Sequence, residues 1–403
     1  MRTNAEQLLL EALRAAIHGA SVNWRTVSEE DWNALMALSA AHKVLPLVVQ
    51  AFYGCPAAQQ WSGLAQAKRL SRVQVASQTL RTSEFLELCR FLQERGLRPL
   101  VVKGILCRSI YPEGELRQSA DEDLYAATEE FERCCEALRA FGMVCPGHAD
   151  ETSDFEIGWR KTDSPLYVEL HRSLFEPSSD ALGALQTFFD GAFGRAEEYC
   201  VQDVPLRSLP PQEHLLYLLL HAYKHFIYSG FGIRQICDIG LWAQTYAGRI
   251  DFDALEEQLR QVRADRFAEA VLAAAEQELG ILVAGRRKAV TDYAPLLEDV
   301  LRAGVYGSSD KSRQHSAALT LRAVEARGSG SRGGIWRALF PRAADLQRAY
   351  PALREHPVLL PYCWCRRLIS YRRETKTDAG SSAAQSLRLA RERKELLRRY
   401  GII

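Results

Sequence analysis

Between Leu100 and His171 the chain carries a strand-like apolar run ending in Lys103-Gly104, then Asp121-Glu122-Asp123, then Val168-Glu169-Leu170-His171. This order constrains the fold more than any other stretch. Successive side chains of a strand alternate faces, so Asp121 and Asp123 point to one side and Glu122 to the other. Glu169 and His171 repeat that spacing. If the two strands are neighbours, Asp121, Asp123 and Glu169 converge, and such a set suits a hard cation such as Mg²⁺, which prefers carboxylate and phosphate oxygens. An Asp-x-Asp by itself is as readily a turn or a solvated loop. Its weight here comes from the strand, Lys-Gly and helix before it and the acid-bearing strand after it.

The rest of the composition excludes several classes. A chain of 403 residues with 47% hydrophobic and 25% charged content is globular material for two or three packed units. Lys and Arg number 51 against 50 Asp and Glu, so no net field draws the protein to nucleic acid or anionic membrane. The ten cysteines, Cys55 through Cys365, lack paired Cys-x-x-Cys spacing, and the first residues alternate amphipathically instead of running basic then apolar. The expectation is a reduced, cytoplasmic protein with buried free thiols. No uninterrupted apolar stretch approaches the roughly twenty residues of a membrane span, so no transmembrane segment is expected.

Periodicity predicts helices over 6–18, 28–52 and 65–94, the last with Val73, Leu80, Phe85, Leu88, Phe91 and Leu92 on a buried stripe and Gly96 as C-cap. The period then shifts to strands at 99–102, 142–145, 155–160 and 166–170, with a short helix at 104–111, a loop into a strand over 117–127 and a helix over 129–141. Helical periodicity returns from Ala181, through 211–228, 233–246, 252–262 and 266–279. Gly/Ser-rich links lie at 327–334 and 378–382, and Trp336, Leu339 and Phe340 precede a predicted helix at 343–350. Residues 383–403 form an arginine-rich helix whose charges read as a solvated, partly paired face. The fold class is α+β: an N-terminal helical segment (1–96), a helix-and-sheet core (97–208), a helical domain (209–326) and a basic C-terminal helical segment (335–403).

Helical spacing places His214, His221 and His225 on one face, with Lys224 beside it. His-x-x-x-His is metal-ligand spacing, but no third-ligand motif accompanies it. Two readings stand: the face approaches phosphate or acceptor groups at the carboxylate site, with Lys224 as the permanent charge, or it packs against the sheet, which is preferred for His214. Arg234 and Asp238 are i, i+4 neighbours, expected as a surface or interdomain pair.

The run Leu100-Val-Val-Lys-Gly-Ile-Leu, Tyr111-Pro, Leu116-Arg117-Gln-Ser-Ala-Asp121-Glu-Asp123-Leu-Tyr and Val168-Glu169-Leu-His171 resembles the uncharacterised nucleotidyltransferase-like family of the DNA polymerase β-type nucleotidyltransferase superfamily. The resemblance extends through the His214–His225 helix and the Asp238 helix to Leu339-Phe340-Pro341 and Tyr350-Pro351. It implies a nucleotidyltransferase-type mixed sheet, with Asp121 and Asp123 holding catalytic Mg²⁺, or Mn²⁺ in its place. Glu169 would be the third carboxylate and would also accept the acceptor hydroxyl's proton. Lys103 and Gly104 would face the nucleotide's phosphates, and Arg117 would either contact a phosphate or form a structural ion pair; His171 and, from their helical spacing, His221, Lys224 and His225 complete the expected nucleotide-facing set. The implied reaction moves a nucleoside monophosphate from an NTP, ATP by default, to a hydroxyl of a small molecule or a protein.

One position departs from the family's pattern, and another, usual in the family, departs from that of the superfamily's classical members. Glu122 stands where an apolar residue is usual, and because a buried charge without a partner is costly, the strand is expected to be exposed there. That departure favours the alternative of a non-catalytic nucleotide-binding or interaction protein on the same fold. Lys103-Gly104 replaces the Gly-Ser of classical members, leaving Ser109 and Ser119 as nearby hydroxyls.

Overall fold

The computed structural model describes residues 2–145, 155–303 and 383–403, apart from 178, 180, 181, 229 and 288–291, together with 346, 350–353 and 356–366. The 327–334 and 378–382 links, the Trp336–Phe340 segment and most of the predicted 343–350 helix lie outside the described residues.

The chain opens with α1 (Asn4–Ile17), which starts on a Thr3/Glu6 capping box. It continues with α2 (Glu29–Ala41), capped by Ser28, and α3 (Leu45–Phe52). The single helix predicted over 28–52 is broken at Lys43, whose φ of 53° no helix can carry through. After α4 (Pro56–Gln60) comes α5 (Leu64–Glu94), with Gly96 following in the left-handed region as its stop. Phe85, Leu88 and Leu92 are buried as expected, but Val73 and Leu80 are 63% and 48% exposed. In that half of α5 the inward positions are Ala67, Ser71 and Gln78, small or polar residues that an apolar stripe search passes over.

The sheet is built from β1 (Leu100–Val102), β2 (Glu122–Tyr125), β3 (Met143–Val144), β4 (Glu156–Lys161) and β5 (Tyr167–His171), in the order β1-β2-β5-β4-β3. The short α6 (Gly104–Arg108) follows β1, and α7 (Phe131–Ala140) follows β2. Only β2 and β5 run parallel, so the sheet is mixed. Their register sets Asp123 opposite Glu169 and Tyr125 opposite His171. Val101, Val102, Leu124, Val168 and Leu170 are buried, as central strands require.

Where helical periodicity was expected from Ala181, the structure has only short helical turns and α8 (Ala192–Arg195), then a hairpin of β6 (Glu197–Val201) and β7 (Val204–Ser208). Gln202 and Asp203, both at positive φ, make its two-residue turn without any glycine to announce it. The helical region follows as α9 (Pro211–Tyr228), α10 (Ile233–Thr245), α11 (Phe252–Gln261), α12 (Asp265–Leu279) and α13 (Ala294–Ala303).

The N-terminal helices pack onto this region. His18 Nε2 meets the Leu279 carbonyl at 3.0 Å, and Arg2 pairs with Glu278. His42 Nε2–H donates to the Leu301 carbonyl at 3.2 Å while its Nδ1 accepts the Ile233 amide at 3.4 Å.

The C-terminal helix (Ala383–Arg399) is not wholly the solvated face that its charge suggests. Arg388, Arg391, Lys394, Arg398 and Arg399 are exposed, but Arg393 is 3% exposed. It pairs with Asp299 at 3.1 Å and donates to the Phe226 carbonyl at the end of α9. Leu397, Tyr400 and Ile402 are buried with it.

Candidate metal centre

Asp123 lies on β2 directly across from Glu169 on β5, so a parallel register alone brings the two carboxylates side by side. The Asp123 carboxylate is almost fully buried and accepts from Lys103 Nζ at 2.9 Å and from His171 Nε2 at 3.0 Å. Its second oxygen, Oδ2, is buried without a hydrogen-bond partner. Glu169 Oε2 is 3.7 Å from His171 Nε2, and Asp123, Glu169 and His171 each bring a ligand atom within 4.8 Å of the others. Because Asp123 only accepts, His171 carries its proton on Nε2 and steadies the carboxylate, with Nδ1 turned toward Glu156 at 3.5 Å.

Burial and the charges of Asp123 and Asp121 push the Glu169 carboxyl up to about 7, the mark of a carboxylate cluster short of positive charge. Burial acts the same way on Asp123, but Lys103 and His171 outweigh it and hold that carboxyl below its ordinary range. An orphaned buried oxygen, carboxylates facing in register and a proton retained near neutrality fit a hard divalent cation.

Lys103 reaches Asp123 from a strained corner. Its φ of 58° and ψ of −138° lie outside the regions an L-residue favours, and its amide donates to His214 Nε2 at 3.2 Å. Its ammonium also donates to His221 Nε2 at 3.1 Å, and the same nitrogen faces His225 Nε2 at 3.2 Å. Burial, then the Lys103 charge, holds His214 down to about 3, and burial holds His221 and His225 well below the usual imidazole range. The face of α9 turned to the sheet therefore presents neutral rings to a cationic side chain. The Lys224 ammonium lies 5.8 Å from the Phe155 ring centre, and its charge still acts on Glu156, Glu169, His221 and His225.

Glu122 corrects the expectation of an exposed strand. Its carboxylate is fully buried, with Arg108 at 2.6 Å, the Ile105 amide at 2.9 Å and the Ser119 hydroxyl at 3.3 Å as partners. Gly104, at φ 44°, is where a Cβ would collide with that carboxylate. The glycine is thus explained by Glu122, and the first-turn amide of α6 that could meet a phosphate is occupied by the protein's own anion. Neither nearby hydroxyl is free, since Ser109 donates to the Leu106 carbonyl.

The pairing expected between Arg234 and Asp238 is also corrected. Both are buried, and Asp238 instead takes Arg117 in a two-pronged contact at 3.1 and 2.6 Å and the Tyr111 hydroxyl at 2.8 Å. Arg234 donates to the Gln118 carbonyl. Arg117, Arg234 and Asp238 line a cleft between β2 and helices α9 and α10 that also holds Lys103, Asp121, Asp123 and His221.

A family model described as an uncharacterised nucleotidyltransferase matches residues 28–280. The chain belongs to that family. A search of the curated proteins and one of the solved structures found no match to this chain. The mixed sheet flanked by helices is the nucleotidyltransferase-type α+β core, and the matched span runs from α2 to α12. Within this nucleotidyltransferase fold the predicted residues sort by geometry. Lys103, Asp123, Glu169, His171, His221 and His225 converge; Asp121 and Arg117 line the cleft, Arg117 held by Asp238; Lys224 stands beside Phe155 with its charge acting on Glu169 and His225. Sequence reasoning missed Arg108 and Gln78, whose side chains fix Glu122 and the Ser119 amide. Their partners lie far along the chain, so no local spacing could announce them.

Proposed function

We propose that the protein is a Mg²⁺-dependent nucleotidyltransferase that moves a nucleoside monophosphate from an NTP, ATP by default, to a hydroxyl of a small molecule or a protein. The observation that carries this reading is the register of Asp123 against Glu169 in the sheet of a chain belonging to a nucleotidyltransferase family. Asp123 and Glu169 would hold the ion, with Asp121 as the third carboxylate from the adjoining loop. Bound there, the ion would polarise the α-phosphate and neutralise the pyrophosphate leaving group.

The chain's own residues do the rest. Glu169, the more open of the pair at 29% side-chain exposure against 1% for Asp123, accepts the proton of the acceptor hydroxyl. His171 fixes the Asp123 carboxylate, and Lys103, beside that carboxylate at the mouth of the cleft, would offer its charge to the nucleotide's phosphates were an ion to hold Asp123. His221 and His225, neutral and half-buried, limit water on that side of the cleft.

The reading is tested by calorimetric titration of each of the four NTPs with Mg²⁺, in parallel with an Asp121→Asn, Asp123→Asn double variant. Mg²⁺-dependent binding of one NTP that the variant loses is the expected result. Absence of NTP binding in the parent refutes the reading. A second reading, nucleotide binding without transfer, is favoured by the Lys103–Asp123 contact, which supplies a counter-charge from within the chain. NTP binding that does not respond to Mg²⁺, and that the double variant retains, would favour it over transfer.

A further inference from the structure

Most buried arginines of the described residues have a carboxylate partner. Arg108 has Glu122, Arg117 has Asp238, Arg286 has Glu269 and Glu276, and Arg393 has Asp299. Around the loop that leads into Asp121 this pattern breaks. Arg81 of α5 donates to the carbonyls of Ser119 and Pro165, and Arg234 of α10 donates to the carbonyl of Gln118. Two guanidiniums from helices far apart in sequence thus grip adjacent peptide units, and among the described residues no carboxylate lies within ion-pair distance of either. Arg234 is 5% exposed, and its Nε is buried with no hydrogen-bond partner.

A third cation joins them. Lys43 sits at the left-handed corner between α2 and α3, and the preceding His42 accepts the amide of Ile233, the residue before Arg234. That hydrogen bond brings the Lys43 corner against the start of α10. The half-buried Lys43 ammonium is lowered by its burial and then by Arg234 and Arg81, with Asp121 the carboxylate that opposes them. Glu122, the other carboxylate whose charge reaches Arg81, is already engaged by Arg108. Asp238, which also feels the Arg234 charge, is taken by Arg117 and Tyr111. Three cations at a half-buried position, with Asp121 the one nearby carboxylate not already engaged by another arginine, are unfavourable unless an anion joins them.

We propose that Lys43, Arg81 and Arg234 form a receiving site for a polyphosphate chain at the Asp121 end of the cleft. In the reaction proposed above, on which the identity of the ligand rests, the β- and γ-phosphates of the nucleotide occupy it and leave from it as pyrophosphate. With Asp121 drawn to the metal ion, the three cations lose their shared carboxylate just as the anion arrives, so metal and polyphosphate binding reinforce each other. The planar guanidiniums suit phosphate oxygens, and their carbonyl contacts fix their orientation beforehand.

Calorimetry with inorganic tripolyphosphate and Mg²⁺ tests the site, using Lys43→Asn, chosen because Asn tolerates the left-handed corner, and Arg234→Gln, with Arg234→Lys as a partial rescue. Each of the first two variants is expected to weaken binding by at least about tenfold, the loss of one charge-assisted contact. Mn²⁺ alone should bind the variants at least as tightly as the parent, and the unfolding transition should not fall below the parental value, because each variant removes one of the mutually repelling cations. Unchanged tripolyphosphate affinity in correctly folded variants overturns the site. Equal binding of AMP or phosphoserine by the parent also overturns it, because the cations would then serve a monoester on the acceptor. If the parent binds tripolyphosphate through these residues but binds no NTP, the site stands and the nucleotidyl-transfer reading falls.

Discussion

Replacing Glu169 by Gln separates what the metal centre does for stability from what it does for function. The Glu169 carboxyl is raised from an ordinary 4.5 to about 7 by burial and by the negative charges of Asp123 and Asp121. The folded, metal-free protein therefore holds this proton more tightly than the unfolded chain does. Its contribution to stability is fully present below pH 4.5 and is lost as pH rises through about 7. A shift of that size corresponds to at most about 3 kcal/mol. Water at the open side of Glu169 reduces the figure to about 2 kcal/mol.

In chelator at pH 8, Glu169→Gln should therefore be more stable than the parent by about 2 kcal/mol in urea unfolding, and at pH 5 the difference should shrink toward zero. Adding Mg²⁺ or Mn²⁺ at pH 8 should reverse the order, because the parent gains binding free energy and the variant does not. A variant no more stable than the parent at pH 8, or one with the same advantage at both pH values, would refute the reasoning.

Other substitutions probe the frame around this centre. Gly104→Ala places a methyl group against the Glu122 carboxylate at a positive φ and should cost about 2 kcal/mol or more in urea unfolding. Arg117→Lys cannot reproduce the two-pronged contact with Asp238 and should destabilise by about 3 kcal/mol, with Asp238→Asn no worse in combination than alone in a double-mutant cycle. His214, held down to about 3, loses stability as pH falls from 6.5 toward that value, so His214→Asn should unfold at a lower pH than the parent in an acid titration followed by circular dichroism.

How far the site was legible in the sequence depended on whether its residues sit in one strand or are joined across the fold. Alternation put Asp121 and Asp123 on one face of their strand and Glu169 and His171 on one face of theirs, the pairing of β2 with β5 brought Asp123 and Glu169 together as the condition required, and the 3.6-residue period put His221 and His225 together. The helices and most strands were read close to their bounds for the same reason. Burial of a charge could not be read this way. Glu122 looked like a liability because its partner Arg108 sits beyond the Lys103-Gly104 corner, and Arg234–Asp238 looked like a surface pair because i, i+4 spacing describes a lone helix, not one packed against Arg117 and Gln118. The β6–β7 hairpin was missed because its turn uses Gln202-Asp203 instead of a glycine. Lys43 and Arg81 carry no motif at all; only the fold brings them to Asp121.

The Arg393–Phe226 contact has a consequence for the protein's synthesis. The helix that presents His214, His221 and His225 to the cleft is tied at its far end by a side chain made more than a hundred and fifty residues later. Domains begin to fold as they leave the ribosome, so the sheet and the first turns of α9 can form while the end of that helix still lacks its tether. A nascent chain stalled before Arg393 should therefore hold its carboxylates in register yet leave the histidine wall of the cleft loose, a window in which chaperones or proteases meet a half-finished active centre.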